Sequence, residues 1–144
     1  MSTRPEPILH FAPDGTKILT HYWQAEAPAG GVVILAHGMG EHALRYKPLA
    51  QHLVRSGYAV YANDHRGHGR LAKDAGKLGD FGAAGFRGVV TDLAQTLDMA
   101  RTEHPGLSVA MLGHSMGSFA VQLLMAESPK LPDAIALSGT AALD

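Results

Sequence analysis

Ser115 stands in Gly113-His114-Ser115-Met116-Gly117, with a glycine two positions away on either side. A hydroxyl is an effective nucleophile only when it is exposed, has a base beside it, and faces donors for the charge that develops on the attacked oxygen. Glycines at these two positions let a strand turn sharply into a helix and hold the serine out of the turn. The free N–H groups and the positive dipole at the start of that helix favour negative charge there. The Met116 amide is therefore the first candidate oxyanion donor. With 17 glycines in 144 residues the pattern can also arise by chance. A preceding strand and a following helix are what separate chemistry from coincidence.

His37-Gly38-Met39-Gly40-Glu41-His42 is the second segment of interest. Its two glycines leave room for a main-chain N–H, best that of Met39, to turn toward a carbonyl oxygen held at Ser115. The alternative is an ordinary glycine-rich loop between a strand and a helix. Glu41 and Arg45 are spaced i, i+4 near a helix start, which also suits a plain surface ion pair. The third segment is Asn63-Asp64-His65-Arg66-Gly67-His68-Gly69-Arg70. Together with His37 and His42 it raises the question of a metal, but there is no His-x-x-x-His helix and no cysteine to support one. Residues 63–70 read better as a polar, self-hydrogen-bonded loop at the carboxyl end of a strand, framing the site.

Positioning these residues requires alternating strands and helices, and the hydrophobic pattern supplies them. Ile8–Ala12 and Lys17–Trp23 read as strands joined through Pro13-Asp14-Gly15, a hairpin turn. Val32–Ala36 is apolar without alternation, as a strand covered on both faces must be. Tyr46, Leu49, Ala50, Leu53 and Val54 then recur at helical spacing up to Gly57. Tyr58–Ala62 is a second buried-type strand. Phe86, Val89, Val90, Leu93, Leu97 and Ala100 mark a long amphipathic helix closed by His104-Pro105-Gly106. Leu107–Leu112 gives the next strand and residues 116–127 the next helix, with Phe119, Ala120, Leu123 and Leu124 inward. Ala134–Leu137 is one more strand. Right-handed crossovers put the helices on both faces of the sheet, so the expected fold is a three-layer α/β/α sandwich, mostly parallel, with a leading antiparallel hairpin.

Composition narrows the function classes. The chain is 46% hydrophobic and 17% charged, ordinary for a folded globular domain. Twelve Lys and Arg against 13 Asp and Glu give a net charge of -1, so no general field draws in nucleic acid. Without cysteine there are no disulfides, thiolate metal sites or thiol nucleophile. Met1-Ser-Thr-Arg-Pro-Glu-Pro has no apolar stretch behind a basic one, and no run approaches the roughly 18 apolar residues of a membrane span. The expected location is cytoplasmic.

Taken in order, HGMGEH followed by Arg45-Tyr46, then NDHRGHG, then GHSMGS resemble the monoacylglycerol lipase and lysophospholipase branch of the α/β-hydrolase superfamily, from about Leu9 to Ala142. The resemblance implies an α/β-hydrolase fold and hydrolysis of monoacyl carboxylic esters, with a small acyl-ester or lipid substrate and no metal or organic cofactor. It places Ser115 at the nucleophile and Met39 and Met116 at the oxyanion donors. Glu41 and Arg45 fall where the family holds its substrate's polar head. Arg70-Leu71 departs from the small polar residue often found after the histidine-glycine pair.

The fold's triad order is nucleophile, acid, histidine, yet all nine histidines precede Ser115. A serine without a base is scarcely reactive at neutral pH, so residues 1–144 alone are expected to be inactive. They read as one incomplete domain, ending after about the sixth strand and before the lid. Asp144, following the strand at 134–137, is a candidate acid, although the matching branch carries its acid one strand later. Thioester, peptide or carbon-carbon bond hydrolysis on the same scaffold remains an alternative. So does a non-catalytic module that keeps the fold without the base.

Overall fold

A computed structural model describes residues 4–142. Its centre is a six-stranded sheet built from β1 (Glu6–Phe11), β2 (Lys17–Trp23), β3 (Gly31–Ala36), β4 (Tyr58–Asp64), β5 (Val109–His114) and β6 (Ala134–Ser138). The spatial order is β1-β2-β4-β3-β5-β6. β1, β2 and β4 pair antiparallel, with Leu9 opposite Leu19 and Leu19 opposite Asp64. β3 pairs parallel with β4 and β5, and β5 with β6. The hairpin, the parallel sheet and the alternation follow the sequence pattern.

Every residue of β3 is buried, because helices cover both faces of this central strand. On one face Val33 and Leu35 pack with Trp23, Val60, Ala62, and Ala50 and Val54 of α1 (Lys47–Arg55). On the other, Val32, Ile34 and Ala36 pack with Val89, Leu93 and Leu97 of α3 (Gly85–Glu103) and Ala120, Val121 and Leu124 of α4 (Met116–Glu127). Strict alternation along one strand thus serves two cores, the reason its sequence is a continuous apolar run. A 3-10 turn, Ala43–Tyr46, leads into α1, and Gly57 leaves it at φ +90°, a conformation that costs glycine little.

Three expectations need correction. The fully buried face of α4 is Met116, Gly117, Ser118, Ala120, Val121 and Leu124; Leu123 is half-buried but packs against the core as expected, whereas Phe119 is half-buried outside that core. With β5 on one side and α3 on the other, this helix is apolar nearly all round, so periodicity cannot locate its buried stripe. The segment 63–70 is not one loop, since β4 runs on to Asp64 and α2 (Gly69–Asp74) starts at its far end. The strand expected at 107–112 forms instead at Val109–His114, carrying the chain to within one residue of Ser115.

β3 is also where the chain changes direction across the sheet. It first adds β4 on one side and later β5 on the other, so the loops leaving β3 and β5 diverge and open a crevice at the carboxyl ends of these strands. Ala36 is level with Gly113 there. Among the described residues, no helix is long and apolar enough to cross a membrane.

Candidate active site

Ser115 lies between the last residue of β5 and the first of α4 with φ 51° and ψ -118°, and among the described residues it alone is a non-glycine at positive φ. Such a conformation costs an L-residue on the order of 1–3 kcal/mol and persists only where surrounding structure enforces it. The enforcement is visible. A Cβ on Gly117 would stand 2.1 Å from the Ala36 carbonyl oxygen, and one on Gly113 would stand 2.7 Å from the Gly117 oxygen. Strand and helix are therefore packed backbone to backbone. The Ser115 N–H donates to the Ser138 carbonyl of β6 at 2.9 Å. The Ser115 side chain occupies the N-cap position without capping the helix, and the residue is half-buried.

The loop after β3 faces this serine. A Cβ at Gly38 would lie 3.3 Å from Ser115 Cβ and 3.4 Å from the His114 carbonyl oxygen, so the two segments are in close contact here. The Gly38 N–H donates to Glu41 Oε2 at 2.8 Å, and the Tyr46 hydroxyl donates to the same oxygen at 2.8 Å. Arg45 lies 3.3 Å from the other carboxylate oxygen. Burial pushes the Glu41 carboxyl up, but the Gly38 amide, Tyr46 and Arg45 outweigh it, and its pKa is lowered. Burial and the adjacent Glu41 charge raise the Tyr46 phenol. With Gly38 occupied, the neighbouring Met39 N–H has no hydrogen-bond partner among the described residues. The Met39 side chain is exposed, whereas that of Met116 is buried.

Glu41 thus holds the loop shut upon itself, where spacing indicated an ion pair and the family resemblance a substrate contact. Arg45 is the partner free to reach outward, its side chain being 69% exposed.

Residues 63–68 brace that loop from behind. The His65 N–H donates to His37 Nε2 at 3.0 Å, so Nε2 is the unprotonated nitrogen and Nδ1–H donates to the Gly38 carbonyl at 2.8 Å. His65 Nε2–H returns a bond to the His37 carbonyl at 3.1 Å, and the two rings lie against each other, tilted by 40° with centroids 4.1 Å apart. Burial lowers His37 to about 4 and holds His65 well below its ordinary value, because an imidazolium cannot be hydrated there. Both His37 ring nitrogens and His65 Nε2 are engaged with main chain, while His65 Nδ1 is buried without a hydrogen-bond partner, and among the described residues no group of three or more His, Asp or Glu is disposed to hold a metal ion.

Arg66 falls in the segment expected to be a polar loop, yet it is 4% exposed. Its guanidinium grips Asp92 of α3 through Nε (2.9 Å) and one terminal nitrogen (2.8 Å), and Asp14 of the hairpin turn at 2.7 Å. Gly88 makes space for it, since a Cβ there would stand 2.4 Å from the guanidinium. Thr20, Asn63 and Thr96 form a second buried network, with both hydroxyls donating to the Asn63 side-chain oxygen at 2.7 and 2.9 Å. Asp92 and Thr96 interrupt the apolar face of α3, and those interruptions are the sequence signal for these contacts. Asp144 lies outside the described residues.

The arrangement sets Ser115, at the turn from β5 into α4, against the Gly38 loop at the carboxyl ends of the strands. Residues 27–143 match the family described as serine aminopeptidase, S33. A monoacylglycerol lipase from Mycolicibacterium smegmatis is 39% identical over 127 residues, 88% of this chain and 44% of the relative. A human monoglyceride lipase is 35% identical over 116 residues, 81% of this chain and 37% of the relative. A thermostable carboxyl esterase from Bacillus coagulans, solved in complex with glycerol, superposes with a TM-score of 0.89 at 28% identity, over 97% of this chain and 46% of that one. This chain therefore spans less than half the length of these relatives. Matched motifs, crevice and sheet order together make the chain a member of the serine aminopeptidase S33 family, on the α/β-hydrolase fold.

Proposed function

We propose that the protein hydrolyses carboxylic esters of monoacyl lipids, such as monoacylglycerols or lysophospholipids, through an acyl-enzyme formed at Ser115. Residues 4–142 supply the nucleophile and oxyanion site of a larger catalytic domain, and a histidine outside the 144 residues supplies the base. The observation that carries this reading is the positive-φ Ser115, forced by Gly113 and Gly117 to face the Gly38 loop. Further support comes from the relatives' names, monoacylglycerol lipase and monoglyceride lipase.

Ser115 Oγ gives its proton to the imidazole as it attacks the acyl carbon. The carbonyl oxygen becomes an oxyanion, held by the Met116 and Met39 N–H groups, each contributing about 3 to 4 kcal/mol to the transition state. Collapse expels the alcohol with a proton from the imidazolium, and water attacking the acyl-enzyme by the same route releases the fatty acid. Arg45, exposed at the loop's rim, contacts the polar head, and Glu41 orients it while keeping the loop closed.

Fluorophosphonate labelling tests this. The protein extended by the sequence that follows residue 144 in its gene should label, its Ser115→Ala variant should not, and the 144-residue chain should be silent. A folded, extended protein that fails to label refutes the assignment. A panel of acyl glycerol, thioester and aminoacyl amide substrates then separates ester hydrolysis from the other chemistries of the fold.

A further inference from the structure

The carbonyl oxygen of Ser115 is unusually well supplied with donors. It accepts the Ser118 N–H at 2.9 Å, the Phe119 N–H at 3.3 Å and the Ser118 hydroxyl at 2.6 Å. Ser118 is fully buried, and its Oγ is also 2.7 Å from Thr140 Oγ1. Thr140 Oγ1 in turn receives the Gln122 amide at 2.8 Å, and Gln122 caps the Ala141 carbonyl at 2.9 Å.

Proton directions follow from donor and acceptor counts. The Ser115 carbonyl can only accept, so the single Ser118 proton must lie in that 2.6 Å contact. Ser118 Oγ then accepts from Thr140, whose other hydroxyl contact, to the Ala141 carbonyl, is long at 3.5 Å. The chain therefore runs one way, from Gln122 Nε2–H to Thr140 O–H to Ser118 O–H to the Ser115 carbonyl.

That carbonyl belongs to the same peptide plane as the Met116 N–H. Donors on the oxygen draw electron density from the amide nitrogen and sharpen the positive end of its N–H, and aligned bonds reinforce one another. They also fix the rotation of the plane, and with it the direction of the N–H. We infer that Ser118, Thr140 and Gln122 form a hydrogen-bond relay that orients and polarises the Ser115–Met116 peptide, making Ser118 and Thr140 positioning residues for the Met116 oxyanion donor. The catalytic consequence rests on the hydrolase reading above. The relay also ties the segment leaving β6 to the elbow, so movement of residues 139–141 is felt at the donor.

Three variants test it. Ser118→Ala removes the proton on the carbonyl. Thr140→Val, on an exposed segment where folding is not at stake, keeps the shape and removes the upstream donor, while Thr140→Ser restores it. In the 144-residue chain the Met116 amide proton should move upfield in Ser118→Ala, less so in Thr140→Val, and return in Thr140→Ser. In the extended enzyme kcat should fall about two- to eightfold in Ser118→Ala with KM unchanged, from a ~10–30% weakening of one oxyanion donor, and Thr140→Ser should match wild type. A Met116 resonance unmoved in both Ser118→Ala and Thr140→Val overturns the relay, whatever the activity. If the Met116 resonance moves as described but the wild-type enzyme hydrolyses no ester, the relay stands and the functional reading falls.

Discussion

Lowering the pH should unlock the loop behind Ser115 through His37. Its pKa is held near 4 by burial, whereas in the unfolded chain it returns to about 6.5. Between those values the unfolded chain binds a proton that the folded one does not, so stability falls as pH drops. The contribution is intact above about pH 6.5 and lost progressively toward pH 4. At pH 4.5 the two pKa values correspond to a loss of roughly 2.5 kcal/mol from this one residue, a large fraction of the stability of a small domain.

The His37→Gln variant isolates this effect. Glutamine offers an oxygen to the His65 amide and cannot titrate. Urea unfolding followed through Trp23, the single tryptophan and 1% exposed, gives the stability of both proteins at pH 7 and pH 4.5. The variant should be the less stable at pH 7 and should lose about 2.5 kcal/mol less than wild type on acidification. His65, depressed chiefly by burial, keeps most of its own acid sensitivity in both proteins. Equal losses in the two proteins would refute the claim that His37 is held neutral by the fold.

Gly117→Ala places a Cβ 2.1 Å from the Ala36 oxygen, and forcing α4 off β3 should cost roughly 3 kcal/mol or more in the same urea assay. Ser115→Gly should raise stability by up to about 1 kcal/mol, because glycine relieves the positive φ while adding some unfolded-chain entropy; a loss of stability would mean the elbow is unstrained. Asp92→Ala strands the 4%-exposed Arg66 with only the outer Asp14 as partner and should destabilise by about 3 to 5 kcal/mol. Replacing Arg66 and Asp92 together by Met and Leu should recover much of that loss, and a double variant as unstable as the single one would argue against an unpaired buried charge as the cause.

Much of this protein is local and therefore written in its sequence. Val32–Ala36 reads as a doubly covered strand because its apolar run is unbroken. Gly113 and Gly117 announce the elbow because no other residue lets two backbones come so close. The roles of Glu41, His37 and Arg66 are another matter. Spacing offered Glu41 an ion pair and the family resemblance a substrate, but the short return of the chain at Gly38 made its carboxylate the clasp of the loop. His37 and His65 are 28 positions apart, as Arg66 and Asp92 are 26, and nothing in helical or strand periodicity links residues so distant. The same holds for Ser118 and Thr140. Local pattern fixes which backbone each segment adopts, since that depends on neighbours within a few residues; which polar groups meet once the sheet is assembled depends on strand order, and strand order exists only in three dimensions.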